Sequence, residues 1–143
     1  MQKIKVETVI NADIQKVWKH WNDPKSIQGW AFASDDWECP YAENDLRAGG
    51  RFLTRMSAKD NSEGFDFTGT YRKVIEFSYI NYIMDKADGE DKPRECEITF
   101  TDVGNGTTKV EEVFCPEEIN SEEKQKEGWR AILENFKKFV LSN

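Results

Sequence analysis

The sequence predicts an α+β fold: one antiparallel sheet of about seven strands, two short helices after the first strand, and a long C-terminal helix. Three observations carry this. Residues 3–10 alternate apolar and polar with the two-residue period of a half-buried strand. Residues 37–114 continue in β-type stretches separated by turn signals, with no internal repeat and no low-complexity linker. From about residue 120 the period becomes that of a helix. The 143 residues match one domain, since length over roughly 150 is the prior for domain count, so a single domain over 1–143 is expected.

The elements follow in order. Ile4, Val6 and Thr8 alternate with Lys3, Lys5 and Glu7, a strand ending near Ile10. Asn11 to Asp13 supply capping oxygens ahead of Ile14, Val17, Trp18 and Trp21, whose i, i+3, i+4, i+7 spacing gives a helix one apolar face. Asp23 caps and Pro24 opens a second, short helix, with Ile27 inward and Gly29 as its stop. Trp37 to Ala42 reads as a weak strand, and Phe52, Thr54 and Met56 then alternate against Arg51, Leu53 and Arg55. A polar loop is expected over Ser57 to Gly64. Phe65, Phe67, Gly69 and Tyr71 share a face of the next strand, where Gly69 suggests a bulge or sharp bend.

Ser78 to Met84 is strongly β-prone and predicts a strand covered at least partly on both faces; Asp88-Gly89 marks the turn after it. Cys96, Ile98 and Phe100 form one arm of a hairpin, and Val110, Glu112 and Phe114 the other. Gly104-Asn105-Gly106 is its turn; the Asn105-Gly106-Thr107 sequon is read that way because no secretory signal accompanies it. Asn120 or Ser121 opens the final helix, with Glu123 placed for a capping box with Asn120, and the helix runs to about Leu141, about 30 Å at 1.5 Å per residue. Its first half, Glu122 to Glu127, has no apolar residue, whereas Trp129, Ile132, Leu133, Phe136 and Val140 form a stripe, so only the second half is expected to be clamped. Gly128 costs about 1 kcal/mol relative to Ala mid-helix, which predicts a close approach by sheet, helix or ligand.

Composition narrows the function. With 38% hydrophobic and 13% aromatic residues the chain can build a core, so wholesale disorder is excluded. Twenty-seven acidic against 20 basic residues leave a net charge of −7, which repels a phosphate backbone; no nucleic-acid partner is expected. No signal-type apolar region opens the chain and no stretch approaches the roughly 18 apolar residues of a membrane helix, so a cytoplasmic protein with no membrane partner is expected. Cys39, Cys96 and Cys115 are odd in number and lack Cys-x-x-Cys spacing, which predicts packed, reduced thiols and neither a disulfide framework nor a metal site. His20 is the only histidine and has no metal-ligand or triad companions, so it reads as a surface or boundary residue. Nucleotide and hydrolase motifs are missing, and no cofactor is expected.

Ala12 to Trp18 (ADIQKVW), Asp45 to Phe52 (DLRAGGRF), Phe65 to Tyr71 (FDFTGTY), Gly106-Thr107 and Gly128 to Leu133 (GWRAIL) occur in an order that resembles the motifs of the START-like superfamily, in the branch related to the activator of Hsp90 ATPase. The likeness spans nearly the whole chain; Asp13 departs from the proline often found there, which alters only the helix start. The resemblance implies the helix-grip fold: a curved antiparallel sheet wrapped around the C-terminal helix, with a cavity between them partly closed by the two short helices. Members include lipid and hormone carriers, aromatic polyketide cyclases and co-chaperone domains, and fold does not choose among them.

Under this arrangement Trp18, Trp21, Trp30, Phe52, Phe65, Phe67, Tyr82, Trp129 and Leu133 turn toward the interior, either as plain core or as the wall of an apolar ligand cavity. Glu112 shares its strand face with Val110 and Phe114 and points into an apolar row. Two readings fit it: a desolvated acid of raised pKa, the one candidate catalytic acid or base, or a carboxylate that is solvated or paired with Arg51 or Arg55. Arg47, Arg51 and Arg55 either orient an anionic group or, if Phe52 faces inward, lie on the surface. The expected function is binding of a small hydrophobic or aromatic molecule. A protein-interaction module resembling the Hsp90 activator's C-terminal domain is the alternative, less favoured because 143 residues leave no room for that activator's separate N-terminal domain, and a cyclase-like or hydrolase-like enzyme using Glu112 is the third.

Overall fold

The computed structural model describes residues 3–86 and 93–143. The elements run β1 (Ile4–Ile10), α1 (Ile14–Asn22), α2 (Pro24–Ile27), β2 (Trp37–Asn44), β3 (Arg51–Ala58), β4 (Gly64–Ile75), β5 (Tyr79–Met84), β6 (Arg94–Gly104), β7 (Thr107–Phe114) and α3 (Glu122–Ser142). A seven-stranded sheet in the order β1-β7-β6-β5-β4-β3-β2 is antiparallel throughout. The first strand therefore lies beside the last, and α1 and α2 carry the chain across to the far edge, where β2 begins. This is the helix-grip arrangement expected from the sequence. No described helix is long and apolar enough to cross a membrane.

Local chemistry explains the boundaries. The Asp13 carboxylate accepts the Lys16 amide at 2.9 Å and caps α1, while Asp23 accepts the Lys25 amide at 3.1 Å ahead of Pro24 and caps α2. Gly104, Asn105 and Gly106 all take positive φ (96°, 55° and 70°), the conformation that turns β6 into β7. The Asp88-Gly89 turn lies outside the described residues.

The period of two sorts the side chains. Val6, Val110, Ile98 and Ile80 are buried on the inner face, beneath Leu133, Phe136 and Val140 of α3. The outer face carries ion pairs, among them Lys3–Glu95 (2.9 Å), Lys5–Glu111 (3.1 Å) and Arg51–Asp85 (2.5 Å). These are exposed and contribute little each.

Several local expectations are corrected. β3 does not end before Ser57: Ser57 and Ala58 pair with Glu38 and Trp37 of β2, so the loop starts at Lys59, and β2 itself runs on to Asn44. Gly69 stays in register; the irregularity falls between Tyr71 and Lys73, and Gly69 is needed because a Cβ there would meet Ile83 O at 2.5 Å and the Phe52 ring at 2.7 Å. Of the two openings expected for α3, Ser121 is the cap, accepting the Lys124 amide at 3.1 Å, and the Asn120–Glu123 capping box does not form because the Asn120 amide donates to Glu117 Oε1 at 3.1 Å. The first half of α3 is anchored as well, by buried Gln125. Gly128 meets nothing: a Cβ there would have no neighbour within 4 Å.

Candidate functional site

Between the inner sheet face and α3 lies a cavity of about 280 Å³. Every strand except β1 contributes to its wall, as do all three helices. Trp21 of α1, Ile27 of α2 and the adjoining Trp30 and Ala31 close one end; β3 and β4 supply Phe52, Thr54, Met56, Phe65, Phe67 and Tyr71; β5 to β7 supply Ile80, Tyr82, Ile98 and Glu112; and α3 supplies Trp129 and Ile132. The wall is thus mainly apolar and aromatic, with a few polar groups, the usual make-up of a small-molecule site.

Aromatic geometry builds this wall. Phe52 is seated on Gly69 and meets Tyr71 and Tyr82 with ring centroids 5.3 and 4.9 Å away. Phe67 meets Phe52 at 5.5 Å and Trp129 edge-on at 6.2 Å. At the α1–α2 end Trp21, Trp30 and Phe136 pack mutually at 4.8 to 4.9 Å, and the Trp30 indole N–H donates to the His20 carbonyl at 3.0 Å. Hydrogen bonds fix the rim: the Tyr71 hydroxyl donates to Asn44 Oδ1 at 2.5 Å, and Asn44 Nδ2 donates to the Asn22 carbonyl at 2.8 Å, tying β4, β2 and the end of α1 together.

Two residues expected in the wall sit elsewhere. Trp18 is packed edge-on against Phe77 (6.0 Å) and Phe100 (5.1 Å) and does not line the cavity. Leu133 is fully buried in the solid part of the core, one position past the cavity residue Ile132. Trp21, Trp30, Phe52, Phe65, Phe67, Tyr82, Glu112 and Trp129 do line it, although Phe65 is half-exposed at the edge.

Glu112 is the chemically distinctive member. It stands on β7 between Val6 of β1 and Ile98 of β6, and only 5% of its surface is exposed. Among the described residues no hydrogen bond or ion pair reaches its carboxyl, and burial alone pushes that carboxyl up to about 8. At neutral pH it is mostly a neutral acid facing the cavity. The suggested pairing with Arg51 or Arg55 does not occur: Arg51 binds Asp85 and Thr70, Arg55 binds Asp66, and Arg47 binds Asp45, all on the exposed side. Tyr82, beside it across the sheet, is held protonated by burial, with the Cys96 thiol and Glu112 adding to the effect.

His20 lies away from the cavity, with Nδ1 2.9 Å from Ser26 Oγ and its ring edge-on to Phe139; burial, Lys16 and Lys19 hold its pKa below the ordinary value. Cys39 and Cys96 are buried and free. Among the described residues no cluster of three or more His, Cys, Asp or Glu is placed to hold a metal.

Several wall residues escaped the sequence reading. Thr54 and Met56 share the alternation of Phe52 and were within its reach. Glu43, Asn44, Arg94 and Glu117 carry no such signal, because strand-edge and loop geometry places them. Arg94 and Glu117 also line an adjoining recess with Asp66, Asp85 and Lys86, and so mark one mouth of the cavity. Arg94 Nη1 donates to the Cys115 carbonyl at 3.1 Å.

Comparison with solved structures returns the same architecture. The solution structure of the AHSA1-like protein from Aeromonas hydrophila is 40% identical, with a TM-score of 0.88 over 99% of this chain and 93% of that one. Chr148 from Cytophaga hutchinsonii is 47% identical with a TM-score of 0.79 over the same shares. CV1439 from Chromobacterium violaceum shares the fold at 20% identity, TM-score 0.85, over 97% of this chain and 96% of that one. No curated protein matches. The family described as "Activator of Hsp90 ATPase homolog 1-like protein" matches residues 11–140.

Proposed function

The chain belongs to the Activator of Hsp90 ATPase homolog 1-like family, and from that premise we propose that it binds a small hydrophobic or aromatic molecule in the cavity between sheet and C-terminal helix. One observation carries this reading: a connected space of about 280 Å³ persists inside a core whose aromatic rings otherwise pack at ordinary contact distances. Protein interiors are close-packed, and an apolar void costs stability in proportion to its size. A space of this kind, walled by rings on both sides, fits a ligand better than it fits core packing.

Binding needs no chemistry beyond what the wall offers. Apolar surface leaving water supplies the affinity, at about 25 cal/mol per Å², and the polar groups Glu112, Tyr82 and Asn44 set the orientation. The titratable neighbours of Glu112, Tyr82 and Cys96, are both held protonated by burial, so neither is poised as base or nucleophile and the surroundings favour recognition over turnover.

Native mass spectrometry of gently purified protein, paired with thermal denaturation against aromatic and aliphatic compounds, tests this. An extractable bound mass, or a rise in Tm that grows with ligand concentration, is expected, since a ligand at a hundred times its Kd adds about 2.7 kcal/mol. A protein that stays at its bare mass and is stabilised by none of them would overturn the proposal and turn attention to a partner protein.

A further inference from the structure

We propose that the cavity selects a hydrophobic organic amine, whose ammonium group displaces the proton of Glu112 and is held by the resulting carboxylate within the aromatic wall. This rests on the cavity-binding reading above and names the ligand class.

The buried carboxyl is the starting point. Glu112 is turned into an apolar space, and among the described residues no group completes it. A neutral hydrogen-bond acceptor on the ligand could be met by a hydroxyl, which Tyr82 and Thr54 already bring to the same wall at far smaller desolvation cost. Only a cation makes use of the charge that a carboxyl can develop.

The rest of the wall agrees in sign. Phe52, Phe67, Tyr82 and Trp129 surround the space, and ring faces attract a cation within about 6 Å of their centroids. Among the described residues the charged groups lining it are Glu43, Glu112 and Glu117 against Arg94, and Arg94 and Glu117 also line the adjoining recess. An anionic ligand would meet mostly carboxylates. The chain's net charge of −7 also draws cations toward the protein from a distance.

The groups around Glu112 leave its proton as the one that moves. Val6 of β1 and Ile98 of β6 flank it; Tyr82 of β5 and Cys96 of β6 are titratable neighbours, and both are held protonated by burial. Tyr71 of β4 is also kept protonated by burial. The three helices present Trp21, Ile27, Trp129 and Ile132 to the same space, none of which titrates. On binding, the Glu112 O–H bond breaks and its proton passes to solvent. The ligand enters and remains an ammonium, and no covalent bond to it forms.

The test is calorimetric titration of the full chain with three matched probes: 1-naphthylmethylamine, 1-naphthylmethanol and 1-naphthoate. At pH 8 the amine is expected to bind at least about tenfold tighter than the alcohol, and the naphthoate weakest. Because the free carboxyl must lose its proton, amine affinity should rise about 50-fold from pH 6 to pH 8, with about one proton released near pH 6 as read from buffers of different ionisation heat. Glu112→Gln should bring amine affinity down to that of the alcohol and flatten its pH dependence, and the wild-type pH series stands without it. Alcohol binding equal to or tighter than amine binding, or amine affinity that stays flat or falls from pH 6 to pH 8, would overturn the amine assignment and leave the cavity reading intact. Failure of all three probes to bind at any pH would overturn both.

Discussion

The indole of Trp129 lies flat on the ring of Phe114, with centroids 3.8 Å apart and planes 10° from parallel. Phe114 is fully buried at the end of β7, so this stack joins the start of the apolar stripe on α3 to the strand that carries Glu112. The same indole meets Phe67 edge-on and lines the cavity. Trp129→Ala should therefore lower stability by about 2–3 kcal/mol, toward the low end for such truncations because the side chain is only half-buried. It should also weaken apolar ligands beyond what the stability loss explains. Denaturant unfolding and ligand titration of the variant separate the two effects.

Glu112 makes stability depend on pH in a stated direction. Its carboxyl titrates near 8 in the folded protein and at the ordinary 4.5 when unfolded, so between those values the native state holds a proton that the unfolded state has lost. Stability is then fully present below about pH 4.5 and falls by up to about 1.4 kcal/mol per pH unit until it flattens above 8. Glu112→Gln cannot ionise. The variant should gain on the wild type by about 3–4 kcal/mol between pH 5 and pH 8, measured as the difference in urea midpoints along a pH series.

Much of this site is legible from period alone. Alternation turns Glu112 inward because Val110 and Phe114 stand two residues either side, and sets Phe52 opposite the arginines for the same reason. What the period does not contain is where a helix lies across a sheet. Trp18 and Trp21 share one face of α1 and both meet Phe100, yet only Trp21 reaches the cavity, while Trp18 packs on Phe77. Ile132 and Leu133 divide likewise, one on the cavity and one in the solid core. Asn44, Arg94 and Glu117 come to the rim through strand edges and a loop, where no short-range pattern operates.

The two interior glycines should respond oppositely to alanine. At Gly69 the added methyl meets the Ile83 carbonyl at 2.5 Å and the Phe52 ring at 2.7 Å, and the carbonyl belongs to a paired backbone that cannot move away. Gly69→Ala should cost about 1–3 kcal/mol and disturb the seat of Phe52 in the cavity wall. Gly128 has open space around it and sits inside α3, so Gly128→Ala should add up to about 1 kcal/mol through helix propensity. Thermal unfolding of the pair checks both signs.

Gln125 holds the segment that closes the cavity mouth. Its Oε1 accepts the Glu117 amide at 2.8 Å, and its Nε2 donates to the carbonyls of Glu117 (3.1 Å) and Asn120 (2.9 Å), so one buried side chain completes the backbone of a stretch that has no strand or helix of its own. Glu117 in turn lines both the cavity and the outer recess. Gln125→Leu keeps the volume but leaves those backbone groups unmatched, which should cost about 1–3 kcal/mol. The sharper effect is local: hydrogen exchange at the Glu117 amide should accelerate while Val110 and Leu133, deep in the core, keep their protection to within the global stability change. Uniform acceleration across all three would show instead that Gln125 supports the whole fold and not the mouth.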